Sequence, residues 1–183
     1  PIAGDLSNVS LSANWMWPAK QEGENARLYK AVAAVSDFAI ALGVNIPTGK
    51  DSLSMVQKYP NNDTVYAPGT VIISSVAETN DIRKVVSPDL KDTAGSAVLY
   101  IPFTKATMSL GGTTLAQVLN KIGQACADVD DAGYFRKAFD LTQSLVADGQ
   151  LLAGHDISSG GLITTLLEMC FPCEGAGLSV NLD

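Results

Sequence analysis

Apolar residues recur at helical spacing in four stretches of the chain and fall into strand-like clusters in several others. Leu28, Val32, Val35, Ala39 and Leu42 step by four and three, which sets them on one face of a helix that Gly43 is placed to end. A second helix is predicted over 112–123, with Leu115, Val118, Leu119 and Ile122 inward. A third is predicted over 133–148, with Phe135, Ala138, Leu141 or Thr142, and Leu145 inward, and a fourth over 162–171. The first strand covers 8–16, where polar Ser12 and Asn14 sit between apolar neighbours and share one face. Residues 53–59 and 69–78 read as an antiparallel pair about the turn Pro60-Asn61-Asn62-Asp63. Further strands are predicted at 97–103 and 151–153, and 178–182 is strand-like.

The polar stretch from Asp81 to Thr93, with Pro88 inside it and Gly95 after it, is the best linker. Beyond it strands alternate with helices, the mark of an α/β layer. The fold class expected is therefore α/β (α+β), without internal repeats or low-complexity tracts.

Composition narrows the function classes. At 183 residues the chain lies between one large domain and two small ones, and 46% hydrophobic residues suffice for a core. No apolar run approaches the roughly 18–20 residues of a membrane span, and no leader pattern is present, so neither a membrane nor secretion is expected. A net charge of −7 argues against a nucleic-acid partner, because phosphate backbones recruit basic surfaces. It leaves nucleotides open, since one cation and a few aimed N–H groups hold a phosphate on an acidic protein. Cys126, Cys170 and Cys173 make an odd set that fits a reducing compartment. Pro172 interrupts the Cys170–Cys173 pair, which favours buried or incidental thiols over redox or zinc chemistry. Because the chain starts at Pro1 and stops after a strand-like run, it is expected to be a fragment of a longer protein.

Three segments concentrate function-capable groups. Gly154-His155-Asp156-Ile157-Ser158-Ser159-Gly160-Gly161 joins an apolar strand to a helix. A helix start leaves N–H groups without partners and favours negative charge, and the glycines allow a ligand close approach. Asp156 suits a hard cation such as Mg²⁺. The alternative is local, with Ser158 or Ser159 capping the helix and Asp156 complementing its dipole. His155, the only histidine, is either a general base or a structural hydrogen-bonding residue. Pro47-Thr48-Gly49-Lys50-Asp51-Ser52 reads as a polar turn between helix and strand, either a ligand site or a solvated loop. It is no P-loop, because five residues separate Gly43 from Gly49 and Asp51 follows Lys50. Ser12 and Asn14 on the first strand form the third segment, with an edge strand's wet face as the alternative. Leu110-Gly111-Gly112-Thr113 is explained equally well as a helix start.

Taken together, Leu-Ser-Ala-Asn-Trp-Met at 11–16, Pro-Thr-Gly-Lys-Asp-Ser-Leu-Ser-Met at 47–55 and Gly-His-Asp-Ile-Ser-Ser-Gly-Gly-Leu at 154–162 resemble the large, single-chain form of phosphoribosylformylglycinamidine synthase. Glu24-Asn25-Ala26-Arg27-Leu28-Tyr29, Asp81-Ile82-Arg83-Lys84, Leu110-Gly111-Gly112-Thr113, Asp128-Val129-Asp130-Asp131 and Leu167-Glu168-Met169 agree, so the resemblance spans essentially the whole chain. It implies an ATP-dependent ligase of purine synthesis that uses glutamine-derived ammonia to convert formylglycinamide ribonucleotide to its amidine. It also implies the end of the second aminoimidazole-ribonucleotide-synthetase-like A domain over 1–85, a linker over 86–94, and the start of the second B domain over 95–183.

By that resemblance Asp156 binds Mg²⁺, and Ser158, with Ser159 and Gly160, contacts ATP or ADP at an auxiliary site. Gly49, Lys50, Asp51 and Ser52, with Asn14, face nucleotide and substrate. Where Leu11 stands, the smaller form of the enzyme has a nucleotide-binding Asp, so that contact does not carry over. The implied partners are the small-molecule substrates and the rest of the chain, including a glutaminase domain, and the implied location is the cytoplasm. A Glu-and-Asn pair completing the metal site, the substrate-site histidine, the Gly-rich loop and the glutaminase triad are expected outside this chain, so the fragment alone is expected to be inactive. The alternatives are a sibling such as aminoimidazole ribonucleotide synthetase or selenophosphate synthetase, which Leu-Ser-Ala-Asn-Trp-Met disfavours, and a non-catalytic half that keeps a nucleotide for structure.

Overall fold

The computed structural model describes residues 1–91, 95–106, 109–175 and 177–181. Asp92, Thr93 and Ala94 of the expected linker and Leu182 of the last strand-like run lie outside the described residues. Contacts divide the chain into Ile2–Asn80 and Asp81–Asp183.

In the first unit, β1 (Ser10–Met16) is followed by α1 (Glu24–Leu42), β2 (Asn45–Ser52), β3 (Val56–Lys58), β4 (Thr64–Tyr66) and β5 (Thr70–Val76). The larger sheet has the order β2-β1-β5, with β1 parallel to β2 and antiparallel to β5. Thus β1 is central here, and not an edge strand. Its alternation does what the pattern predicts: Ala13 and Trp15 are buried, while Ser12 and Asn14 are half-buried on the opposite face. Ala13, Trp15 and Trp17 form the core, packed by Leu28, Ala31 and Val35 of α1 and by Ile46 and Val71. The helix ends as expected at Gly43, whose left-handed φ of 73° lets its N–H reach the Ala39 and Ile40 carbonyls. Val32 is the exception on the expected inward face and stays 43% exposed.

Two expectations in this unit are corrected. Residues 47–52 are strand, not turn, because they lie in register along β1, with Ala13 opposite Gly49 and Asn14 opposite Lys50. Pro47 is tolerated because β2 ends the strand order of this sheet, where a missing N–H costs no ladder bond. The segments 53–59 and 69–78 do not pair with each other. The Pro60–Asp63 turn instead joins β3 to β4, closed by Tyr59 N–H on the Asp63 carbonyl at 2.9 Å, and β5 pairs with β1.

The second unit contains α2 (Thr114–Val118), α3 (Ala132–Ala147) and α4 (Gly161–Cys170). The predicted helix over 112–123 shrinks to α2. Thr113 caps its start, and just beyond its end Asn120 turns left-handed at φ 53°. Ala116 is buried there, whereas Leu115, Val118, Leu119 and Ile122 are 55–75% exposed. The predicted strands at 97–103 and 151–153 and the run 178–181 form no ladder with any described segment. An apolar run becomes a strand only beside a partner, and Val98, Leu99 and Tyr100 remain more than half exposed.

Helix α3 matches its prediction. Asp131 caps it by accepting the Tyr134 N–H at 2.8 Å, Phe135 packs edge-on against Phe103 at 5.0 Å, and Ala138 is buried. Thr142 is half-buried and bonds the Ala138 carbonyl, while Leu141 is exposed, which settles the inward choice between them. The Tyr134 N–H, with a smaller contribution from Lys105, holds the Asp131 carboxyl below its ordinary value of 3.8. A depressed carboxyl stabilises the fold above the unfolded-state value and loses that contribution as pH falls through the folded one. Amide protection at the start of α3 is therefore expected to weaken below about pH 4. In Asp131→Asn, which keeps the cap, that dependence should vanish, as hydrogen exchange across this pH range would show.

Candidate functional site

Within Ile2–Asn80 the candidate residues lie on neighbouring strands. Side chains at alternate strand positions share a face, so Lys50 and Ser52 stand together, confirmed by Lys50 Nζ donating to Ser52 Oγ at 2.8 Å. Asn14 lies opposite Lys50 and Met16 opposite Ser52, which puts Asn14 on the same face. Asp51 lies opposite Trp15 and therefore on the face that α1 covers, although it is itself exposed. The strand thus brings Asn14, Lys50 and Ser52 together and sends Asp51 the other way. Gly49 has a local reason to be glycine, since a Cβ there would stand 2.1 Å from the Ala13 carbonyl oxygen.

Within Asp81–Asp183 the segment 154–160 leads into α4. Gly160 is the N-cap residue at φ 93°, and no side chain caps the helix. Ser158 contributes its backbone carbonyl, which accepts the Gly161 N–H at 3.0 Å, so the local alternative of serine capping does not hold. The start of α4 is left to its backbone donors and dipole, an arrangement suited to an anion. Ser158, Ser159 and Gly160 are all exposed there. A side chain at Gly160 would be left-handed and would meet Thr164 Oγ1 at 2.3 Å.

Asp156 presents its carboxylate outward, with its side chain 85% exposed. His155 is only 18% exposed and places Nδ1 2.8 Å from the Asp156 carbonyl and Nε2 3.2 Å from Glu168 Oε2. Both ring nitrogens are engaged, which favours the hydrogen-bonding role over a general base. Among the described residues no group of three His, Cys, Asp or Glu is placed to hold a metal ion. A single outward carboxylate fits Mg²⁺ as one ligand, because that ion commonly takes one or two carboxylates and leaves other positions to phosphates and water.

Glu168 and Thr165 are the residues that site reasoning missed. They are separated by three positions on a helix, so they share a face, but only folding brings Thr165 to the Asp156 carbonyl and Glu168 to the His155 ring. Of the cysteines, all free, Cys126 is exposed and Cys173 donates to the Leu90 carbonyl at 2.8 Å. Cys170 and Cys173 are half-buried. No helix among the described residues is long and apolar enough to cross a membrane.

A sheet with its crossover helix, followed by a helical unit with an anion-suited helix start, is consistent with an aminoimidazole-ribonucleotide-synthetase-like fold. Family models agree, matching residues 2–78 as an FGAR-AT PurM_N-like domain and 93–183 as the C-terminal domain of AIR synthase related protein. The chain belongs to the phosphoribosylformylglycinamidine synthase family. It is 44% identical over 179 residues to the probable phosphoribosylformylglycinamidine synthase, chloroplastic/mitochondrial, of Arabidopsis thaliana, covering 97% of this chain and 12% of that protein. To phosphoribosylformylglycinamidine synthase of Homo sapiens it is 44% identical over 182 residues, covering 99% and 14%. To the probable enzyme of Caenorhabditis elegans it is 40% identical over 190 residues, covering 98% and 14%. The chain thus spans about an eighth of the length of these relatives.

Proposed function

We propose that the chain is part of an ATP-dependent amidotransferase that converts formylglycinamide ribonucleotide, ATP and glutamine to the amidine, ADP, phosphate and glutamate. Family membership supports this, and the observation that carries the site assignment is the uncapped start of α4 beside the outward Asp156 carboxylate. Residues 1–85 serve as the end of the second A domain, 86–94 as the linker and 95–183 as the start of the second B domain.

In the reaction the substrate's amide oxygen attacks the γ-phosphorus of ATP and ADP leaves. Ammonia then adds to the activated carbon, and phosphate departs to give the amidine. Mg²⁺ supplies charge neutralisation to the phosphates when bound. The chain's own contribution is positioning. Ser158, Ser159 and Gly160, with the first-turn N–H groups of α4, receive phosphate oxygens, and Asp156 provides one carboxylate to the accompanying cation. On β2, Lys50 supplies positive charge and Ser52 a hydroxyl, with Asn14 adjacent, toward the reacting nucleotide and substrate. Gly49 keeps the strand close to β1, and Asp51 serves from the opposite face. These pieces are not a complete active site. The 183-residue chain is inactive alone and works with the remainder of the enzyme, including its glutaminase, in the cytoplasm.

The test is nucleotide retention by the full-length enzyme. Wild-type protein, denatured and examined by mass spectrometry, is expected to release ADP, and Asp156→Asn to have lost most of it. ADP that survives many turnovers without exchange supports an auxiliary, scaffolding nucleotide at this site. Wild-type stoichiometry in Asp156→Asn would remove the assignment.

A further inference from the structure

The carbonyl oxygen of Asp156 lies within hydrogen-bond distance of two side chains. Thr165 Oγ1, on a residue only 4% exposed, donates to it at 3.3 Å, and the His155 ring approaches with Nδ1 at 2.8 Å. The far side of that ring meets Glu168 Oε2 at 3.2 Å. Each ring nitrogen therefore lies within hydrogen-bond distance of an oxygen, one on the Asp156 peptide and one on Glu168. Thr165 and Glu168 lie on one face of α4, so this helix grips the Asp156 peptide twice, once directly and once through His155. The Asp156 carboxylate stays 85% exposed, with Oδ1 3.4 Å from the same His155 Nδ1.

We propose that Glu168 is a positioning residue, which orients His155 and through it holds Asp156 in the attitude that presents its carboxylate to a phosphate-bound cation. The proposal rests on Asp156 being a metal ligand. Its physical basis is that a ligand's outer partners fix its orientation, and losing one typically weakens metal binding about 10–100-fold. The bond is reachable only in the folded chain, since the two residues are separated by more than a helix turn and a loop. Glu168 is itself partly exposed, with 42% of its side chain accessible, so its loss should leave the helix in place.

The test uses full-length enzyme carrying Glu168→Ala, Glu168→Gln or Asp156→Asn, with Mn²⁺ in place of Mg²⁺. Mn²⁺ binding is followed by electron paramagnetic resonance and amide hydrogen exchange by mass spectrometry. Glu168→Ala is expected to weaken the Mn²⁺ sites that Asp156→Asn removes by about tenfold or more. It should also speed exchange at 157–161 while leaving α3 unchanged. Glu168→Gln should restore both, because its side-chain amide can still hydrogen-bond Nε2 in either tautomer of the ring, and a role confined to bulk helix stability would not produce that pattern. Wild-type Mn²⁺ affinity in Glu168→Ala, where Asp156→Asn has lost it, overturns the proposal, as does unchanged exchange at 157–161. Should Asp156→Asn bind Mn²⁺ like wild type, the metal reading fails. Exchange alone then decides the grip: faster in Glu168→Ala and rescued by Gln sustains it, and unchanged refutes it.

Discussion

Trp17→Ala is expected to destabilise the Ile2–Asn80 unit by about 3–5 kcal/mol, the usual cost of truncating a buried large aromatic. Trp17 is 5% exposed and leans on Trp15 with ring centroids 6.3 Å apart. Its indole N–H also donates to the Glu24 carbonyl at 3.0 Å, tying the core to the first turn of α1. Arg27 lies over the ring at 5.8 Å, adding a cation–π contact from the same helix. A loss of this size is a large share of a small domain's total stability. Urea unfolding followed at this unit would measure it. Trp17→Phe should cost less, removing the hydrogen bond and part of the ring but leaving most of the packing. Equal midpoints for the alanine variant and wild type would show that the tryptophan pair does not organise the core.

Gly49→Ala is expected to be the most damaging single methyl that can be added to the sheet. The new Cβ would stand 2.1 Å from the Ala13 carbonyl oxygen, and that neighbour is backbone, so no side chain can swing aside. The strands must separate or shift, at an expected cost of about 1–3 kcal/mol or more. Gly49 occupies the middle of the β1–β2 register, so the shift also carries Lys50 and Ser52 away from Asn14. Lower stability should therefore come with weaker substrate or nucleotide binding. A variant with unchanged unfolding and unchanged binding would mean that β1 and β2 are not this close.

The sequence announced most of what is decided locally, the helix predicted over 112–123 excepted. Helices α1, α3 and α4 each declare themselves by apolar spacing over ten residues or more, and the end of α1 by Gly43. What depends on a distant partner was not legible. Pro47, Gly49 and Asp51 read as a turn by composition, and only the neighbouring β1 makes them strand. At three residues, β4 falls below the window in which alternation is detectable, whereas β3 lies inside the strand predicted over 53–59. Among the candidate site residues, Asp156 and the serine–glycine run were readable because one short segment carries them. Glu168 was not, because its link to Asp156 passes through a histidine ring and a fold. The stretches at 97–103 and 151–153 show the converse error, apolar runs with strand composition and no ladder among the described residues.

The strand that replaced the expected turn also limits how this segment can change. Side chains on a strand swap sides with every residue, so adding or deleting one position between Gly49 and Ser52 inverts everything beyond it. Asp51 would then stand where Lys50 now does, giving a positively charged surface the opposite sign without altering a single residue type. Length changes here are tolerable only in pairs. A homologue that differs by one residue in this stretch should therefore either bulge to recover the phase or have a different ligand chemistry on that face of the sheet.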